Sequence, residues 1–200
     1  MVTSRHNLGR PASIGEVALA LVNTERRSKR SIIDLLPTSE ALEAWLLELG
    51  LFSATRLLPK SPSDRRILLT EALNLRSEIR ALFAATSKRK VVPASTLHAV
   101  DRALRASHRT ARFVSEDDTA RLLEVESADS PLALVAPFAR SAAELVTRGD
   151  PDRLRECAAP DCPFWFYDES KGGRRRWCSM ARCGNRTKAA RHRSRQDALG

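Results

Sequence analysis

The chain has 200 residues, 42% of them apolar, and carries 34 Lys and Arg against 24 Asp and Glu, a formal net charge of +10. That length allows one domain, or one with a small appendage, and so basic a surface attracts polyanions, of which nucleic acid is the usual one. No run of about 18 apolar residues occurs, which excludes a membrane-spanning helix, and the polar N-terminus followed by a short apolar stretch interrupted by Glu16 predicts no secretory leader.

Glu16–Val22 (EVALALV) reads either as a strand or as a buried helical turn, ended by Asn23 and Thr24. Residues 32–36 form a second extended piece stopped by Pro37. Thr38 or Ser39 caps a helix reaching about Leu49, with Leu42, Trp45, Leu46 and Leu49 on one face and Gly50 as its stop. Ser61, Pro62 and Ser63 open a longer helix whose Ile67, Leu68, Leu75, Ile79, Leu82 and Phe83 recur at helical spacing. Lys88, Arg89 and Lys90 lie at its end, where cations complement the macrodipole, and they are read as a solvated cap. Pro93 starts a third helix to about Ala106; His98 and His108 have no cysteine near them in sequence and are read as ordinary histidines. Residues 110–114 and 120–125 alternate across an acidic turn and predict a β-hairpin. A fourth helix covers residues 131–146, with Leu134, Val135, Phe138, Ala142 and Leu145 inward. Gly149, Asp150 and Pro151 are turn chemistry and mark a boundary. The fold class is therefore α+β: a mostly helical domain with a small β-sheet over residues 1–150, and a separate unit over residues 151–200.

All four cysteines fall beyond that boundary, as Cys157 with Cys162 and Cys178 with Cys183. The expected compartment is the cytoplasm, where thiols stay reduced, so two close pairs with a spacer that folds back read as a tetrahedral structural zinc site. Four thiolates close the coordination shell and leave no open position for catalysis. The strand-prone Phe164, Trp165, Phe166 and Tyr167 and the returning Arg174 to Trp177 predict an antiparallel hairpin around Gly172 and Gly173. A knuckle, a hairpin and a following helix make a treble-clef-like finger. So small a unit has little core, and structural zinc supplies about 10–16 kcal/mol of apparent binding free energy.

If the chain is helical from Cys183, then Thr187, Ala190 and Ser194 share its face and should pack on the hairpin, while His192 lies opposite. Arg182, Arg186 and Arg193 then line one flank and Lys188, Arg191 and Arg195 the other. Between Lys171 and Arg195 there are ten lysines and arginines and no acid, more than a zinc–thiolate centre of formal charge −2 needs for compensation. Arg174, Arg175, Arg182, Asn185, Arg186, Lys188, Arg191, Arg193 and Arg195 are thus the candidate DNA-binding residues, mostly to phosphate. Asn185 and Arg186 are suited to reading base edges, although Gly184 and Asn185 also suit a turn that serves the metal.

At these residues the chain resembles the CGNR zinc-finger family, through Cys183, Gly184, Asn185 and Arg186, the preceding Arg176 to Met180, and Lys188, Arg191, Asp168 and Ser170. Proteins of this kind usually carry an N-terminal α+β domain called ABATE, whose opening motif resembles Leu19 to Thr24 here; Leu35, Leu36 and Trp45 also fit. The resemblance implies a bacterial transcription regulator, linked to stress, that binds DNA through the finger. The opening motif commonly has an acid where this chain has Ala20.

Function thus reads as DNA binding and transcription regulation, with zinc as structural cofactor. The alternative is a zinc-stabilised protein–protein interaction module. Asn23 and Thr24 are candidate contacts for a small-molecule effector, or caps of an element. A homodimer is a further candidate assembly, because one finger offers little contact area on DNA. No HExxH, GxSxG, phosphate-loop or GxGxxG signature is present, so no enzyme is expected.

Overall fold

The structure is a computed structural model describing residues 13–28, 31–50, 59, 61–116, 119–127 and 130–197. The polar N-terminus and the tip of the predicted acidic turn, residues 117–118, lie outside the described residues.

Helix α1 (Glu16–Val22) settles the ambiguous EVALALV run. Its buried residues, Ala18, Leu21 and Val22, lie three and four apart, the helical period. Gly15 caps it in the left-handed region at φ 79°, and a Cβ there would overlap the Leu145 side chain, so the chain enters tight against helix α5 (Ala136–Arg148). Ser141 Oγ accepts the Ala18 amide at 3.1 Å. Strands β1 (Glu25–Ser28) and β2 (Ser31–Asp34) pair antiparallel, with Arg26 opposite Ile33.

Thr38 caps α2 (Ser39–Glu48) by accepting the Ala41 amide at 3.2 Å. The expected face forms: Leu42 and Leu46 are buried, and Trp45 stacks on Phe138 at 5.6 Å. Ser61 caps α3 (Pro62–Ser87), with proline in the first turn where its missing N–H costs nothing. Leu68, Ala72, Leu75, Ile79, Leu82 and Phe83 form its buried stripe. Ile67, expected on that stripe, is 47% exposed, because it sits a full 100° round the wheel from Leu68. Arg76 takes an inward position instead.

Helix α4 (Ala94–Arg105) leads into β3 (His108–Glu116) and β4 (Thr119–Ser127), the predicted hairpin, longer at both ends and in register from His108 opposite Ser127 to Glu116 opposite Thr119. A 3₁₀ turn, Ala133–Val135, precedes α5. The predicted inward residues Leu134, Val135, Phe138, Ala142 and Leu145 are all buried. The α+β class holds, with strands in separate two-stranded ladders. No helix among the described residues is long and apolar enough to cross a membrane.

Beyond the boundary, Asp150 caps a 3₁₀ turn, Pro151–Arg153, that feeds β5 (Leu154–Glu156), which pairs with β6 (Trp165–Tyr167). This hairpin joins the main core. Leu154 and Trp165 are buried in the same apolar cluster as Leu21, Ile79 and Phe83, and the Trp165 ring tilts against Phe83 at 5.8 Å.

Candidate metal centre and nucleic-acid interface

The hairpin partner of residues 165–167 is the segment before the first cysteine pair. Arg174 to Trp177, expected to be the returning strand, is not a strand. The reason lies in Arg155, which competes for the backbone of that segment: Nη2 donates to the Gly173 carbonyl at 2.9 Å and Nη1 to the Arg175 carbonyl at 3.0 Å. Only one backbone bond joins it to the first knuckle, from the Ala158 N–H to the Arg176 carbonyl at 2.8 Å.

The first cysteine pair therefore caps the β5–β6 hairpin. The Cys157 N–H reaches the Phe164 carbonyl at 2.8 Å and the Cys162 N–H closes a turn onto the Ala159 carbonyl at 3.0 Å. The second pair is set by Ser179. Its carbonyl accepts the N–H groups of Cys183 and Gly184 at 2.9 and 3.1 Å, and its hydroxyl accepts the Arg182 N–H at 3.3 Å. This wide turn, Met180–Gly184, delivers Cys183 to the cluster and leads directly into α6 (Asn185–Asp197).

The four sulfurs lie within 4.8 Å of one another. Cys178 Sγ is 3.7 Å from both Cys162 Sγ and Cys183 Sγ. Ligands at zinc–sulfur distances in a tetrahedron stand about 3.8 Å apart, so the donor set fits one such ion. None of the cysteines forms a disulfide. Burial, followed by the charge of neighbouring Cys157, pushes the Cys162 thiol up to about 11. Burial and then the Cys162 and Cys157 charges raise Cys178 as well. At Cys157 burial works in the same direction, but N–H donation from Ala159 and Cys178 outweighs it and the thiol is held below its ordinary value. Crowded sulfurs that resist joint ionisation are what a divalent cation would relieve.

The loop between β6 and Cys178 is organised by Asp168, which is fully buried. Its Oδ1 accepts the Ser170 N–H and hydroxyl, and its Oδ2 accepts the Arg175 N–H at 2.7 Å. Burial would raise its pKa, but the Ser170 hydroxyl, the Arg175 and Ser170 amides and the Arg155 charge together hold it below the usual carboxylate value. Arg153 ties the same loop by donating to the carbonyls of Asp168 and Ser170 at 2.8 and 2.9 Å. Sequence reasoning placed Asp168 and Ser170 only by resemblance and missed Arg153 and Arg155; the Asp-x-Ser turn signature was the available signal.

Gly184 serves the metal turn, since a Cβ there would overlap the Met180 sulfur and crowd Trp177 at 3.2 Å. Asn185 closes the same turn through its backbone N–H, which donates to the Met180 carbonyl, while its side chain is exposed and has no hydrogen-bond partner among the described residues. Arg174, Arg182, Arg186, Lys188, Arg191 and Arg193 are exposed too. Arg175 is exposed, yet it also braces the finger, with Nη2 donating to the Cys178 carbonyl at 2.9 Å and the guanidinium over Phe166 at 5.1 Å. Arg195 and His192 lie in α6, with side chains outside the described set. The expected packing of Ala190 and Ser194 on the hairpin does not occur; both are exposed. Only Thr187 is half-buried, its hydroxyl donating to the Cys183 carbonyl at 2.8 Å. With no apolar stripe to bury, α6 stands clear of the finger after its first turn.

Asn23 and Thr24, the candidate effector contacts, are engaged inside the protein. Asn23 Nδ2 donates to the Trp165 carbonyl at 2.8 Å and Asn23 Oδ1 accepts the Trp165 N–H at 2.9 Å, so one side chain pairs with the outer edge of β6 as a strand would. Thr24 is buried; its hydroxyl donates to the Leu21 carbonyl and accepts from Arg76 Nη1. Arg80 reinforces the junction by donating to the carbonyls of Val22 and Pro163. Asn23→Ala should cost about 2 kcal/mol by stripping both partners from a buried peptide unit. Denaturant unfolding measures this, and an unchanged midpoint would contradict it.

Geometry thus defines a class: a helical α+β domain sharing its core with a four-cysteine, metal-binding finger. The ABATE family model, described as "Putative stress-induced transcription regulator", matches residues 15–149, and the CGNR zinc finger model matches residues 153–196. The chain belongs to the ABATE family and carries a CGNR zinc finger. A search of curated proteins returned no match.

Proposed function

We propose that the chain is a DNA-binding transcription regulator in which Cys157, Cys162, Cys178 and Cys183 hold a structural zinc ion and α6 meets the duplex. The observation that carries this reading is the exposure of Arg186, Lys188, Arg191 and Arg193 on a helix anchored at Cys183. A zinc ion would neutralise part of the thiolate charge and lock the turn from which α6 starts. The protein's residues do the rest: the cations meet phosphate, and Asn185 and Arg186, exposed at the helix start, have the side-chain chemistry to read base edges.

Helix α6 has a physical motive to seek an anion. It has 13 residues, a length at which isolated helices are marginal, and it places cations at Lys188 and Arg191 one turn apart. Phosphate contacts would remove that repulsion. Binding measured against salt concentration is expected to fall steeply, with a log–log slope of about −0.9 per phosphate neutralised. Selection from random duplex DNA with zinc should enrich particular fragments, whereas the same selection with a chelator should not. Salt-independent binding, or equal pools with and without metal, would refute the proposal.

A further inference from the structure

The cations at the end of α3, which the sequence presents as a helix cap, have a different setting in three dimensions. A groove of about 570 Å3 runs between that helix end and the finger. Lys88 lines it from the N-terminal domain, and Arg155, Arg175 and Arg176 line it from the finger. Two carboxylates, Asp152 and Glu156, also border it. Asp152 is already paired with Arg89, whose Nη2 lies 2.9 Å from Oδ2. Glu156 is therefore the one acid of the groove without an ion pair among the described residues; of the cations, Arg155 is paired with the buried Asp168 at 3.7 Å, which leaves Lys88, Arg175 and Arg176.

The four cations play two roles. Arg155 and Arg175 donate to carbonyls of the finger; the Arg155 charge is offset by Asp168, and Arg175 contributes fixed positive charge. Lys88 and Arg176 are exposed and make no hydrogen bonds from their side chains to the described residues; Arg176 lies over Trp177 at 5.5 Å. Neither has to break an internal hydrogen bond before meeting a ligand. Arg174, next to Arg175 in the chain, is also exposed. An open groove with point charges on its rims suits a string of phosphates rather than one enclosed anion.

We propose that this groove carries a stretch of the phosphate backbone of duplex DNA, with Lys88 contacting it from the ABATE segment and Arg176 from the finger. The inference deepens the DNA-binding reading and rests on it. It makes the N-terminal domain part of the DNA interface. The shared core of Leu154, Trp165 and Phe83 holds the two rims at a set separation, so both can engage one backbone.

The test uses the full zinc-loaded chain and a labelled random-sequence duplex titrated at several salt concentrations. Lys88→Ala should weaken binding by a factor of about ten at low salt and reduce the salt slope by about 1, equally for every sequence. Glu156→Gln, which removes the opposing acid, should tighten binding severalfold. Arg66→Ala is the control: it is an exposed cation on the same helix, 22 positions and so about 33 Å from Lys88, and should change nothing. If Lys88→Ala and Glu156→Gln match Arg66→Ala while Arg191→Ala still weakens binding, the groove proposal is wrong and the α6 reading stands. If the unmodified chain shows no salt-dependent affinity, both fall together. A lower melting temperature for Lys88→Ala with an unchanged slope would show a helix-capping role only.

Discussion

Cys178→Ser is expected to abolish stoichiometric zinc binding, unfold the finger beyond Tyr167 and remove measurable DNA affinity. Cys178 is the sulfur that stands 3.7 Å from two of the others, and its backbone N–H also donates to Cys157 Sγ at 3.4 Å. A serine hydroxyl does not ionise to supply the lost ligand at neutral pH. The local apolar cluster is only Cys157, Ala159 and Cys183, with Cys162, Trp177 and Cys178 partly covering it. Such a cluster cannot replace the roughly 10–16 kcal/mol that structural zinc provides to a small finger. The damage should spread: β5 and β6 supply Leu154 and Trp165 to the main core, so the melting temperature of the whole chain should fall. Chelation of the unmodified protein should reproduce the effect. Metal analysis, thermal unfolding and duplex titration read the three consequences, and retention of DNA affinity by the serine variant would break the link between metal and function.

Arg76→Met is expected to cost about 3 kcal/mol. Arg76 is 5% exposed and its guanidinium grips Asp34 through two bonds of 2.7 Å, with a third to Thr24 Oγ1 at 2.9 Å. Removing it leaves the Asp34 carboxylate with the Leu36 N–H as its one remaining donor among the described residues, and the buried Thr24 hydroxyl with its bond to the Leu21 carbonyl alone. Breaking a buried pair costs about 3–5 kcal/mol, and the lower end applies because the Asp34 side chain keeps 30% of its exposure. Adding Asp34→Asn should recover part of the loss. The Arg76 hydrogen bond is also the main reason that the Asp34 carboxyl sits below its ordinary pKa, with burial opposing it. A depressed folded pKa gives stability that is complete above the unfolded value, about 3.9, and fades as pH falls through the folded one. The gap between Arg76→Met and the unmodified protein should therefore be full at neutral pH and narrow in acid. A gap that stays constant from neutral pH to below pH 3 would contradict the pairing.

Much of the fold was legible because its signals are local. Thr38 and Ser61 cap helices with their own side chains, and Leu42, Leu46, Leu68, Leu75 and Ile79 repeat at the helical period. The cysteine pairs were legible for the same reason, since a short spacing places two sulfurs on one turn. The hairpin partner differs from the expectation because Arg174 to Trp177 and Leu154–Glu156 both lie near Trp165–Tyr167 in sequence, and strand propensity does not choose between two such neighbours; in the fold, Arg155 and Asp168 bond the backbone of the Gly173 to Arg175 segment instead. The face of α6 was misjudged because a helical wheel assigns a buried side only when something covers it, and Ala190 and Ser194 have no neighbour to cover them.

By itself, then, the order of residues determined the helices after the first, the four-sulfur cluster and the excess of cations that follows it, because propensity, capping, close ligand spacing and charge are properties of short segments. The tertiary structure alone decided that Asn23 pairs with the backbone of Trp165, that Arg76 rather than Ile67 turns inward, and that Lys88 faces Arg176 across a groove. Those pairs are 142, 42 (Arg76 with Asp34) and 88 positions apart in the chain. Contacts at such separations follow from the packing of one shared core, and no local preference of either partner encodes them.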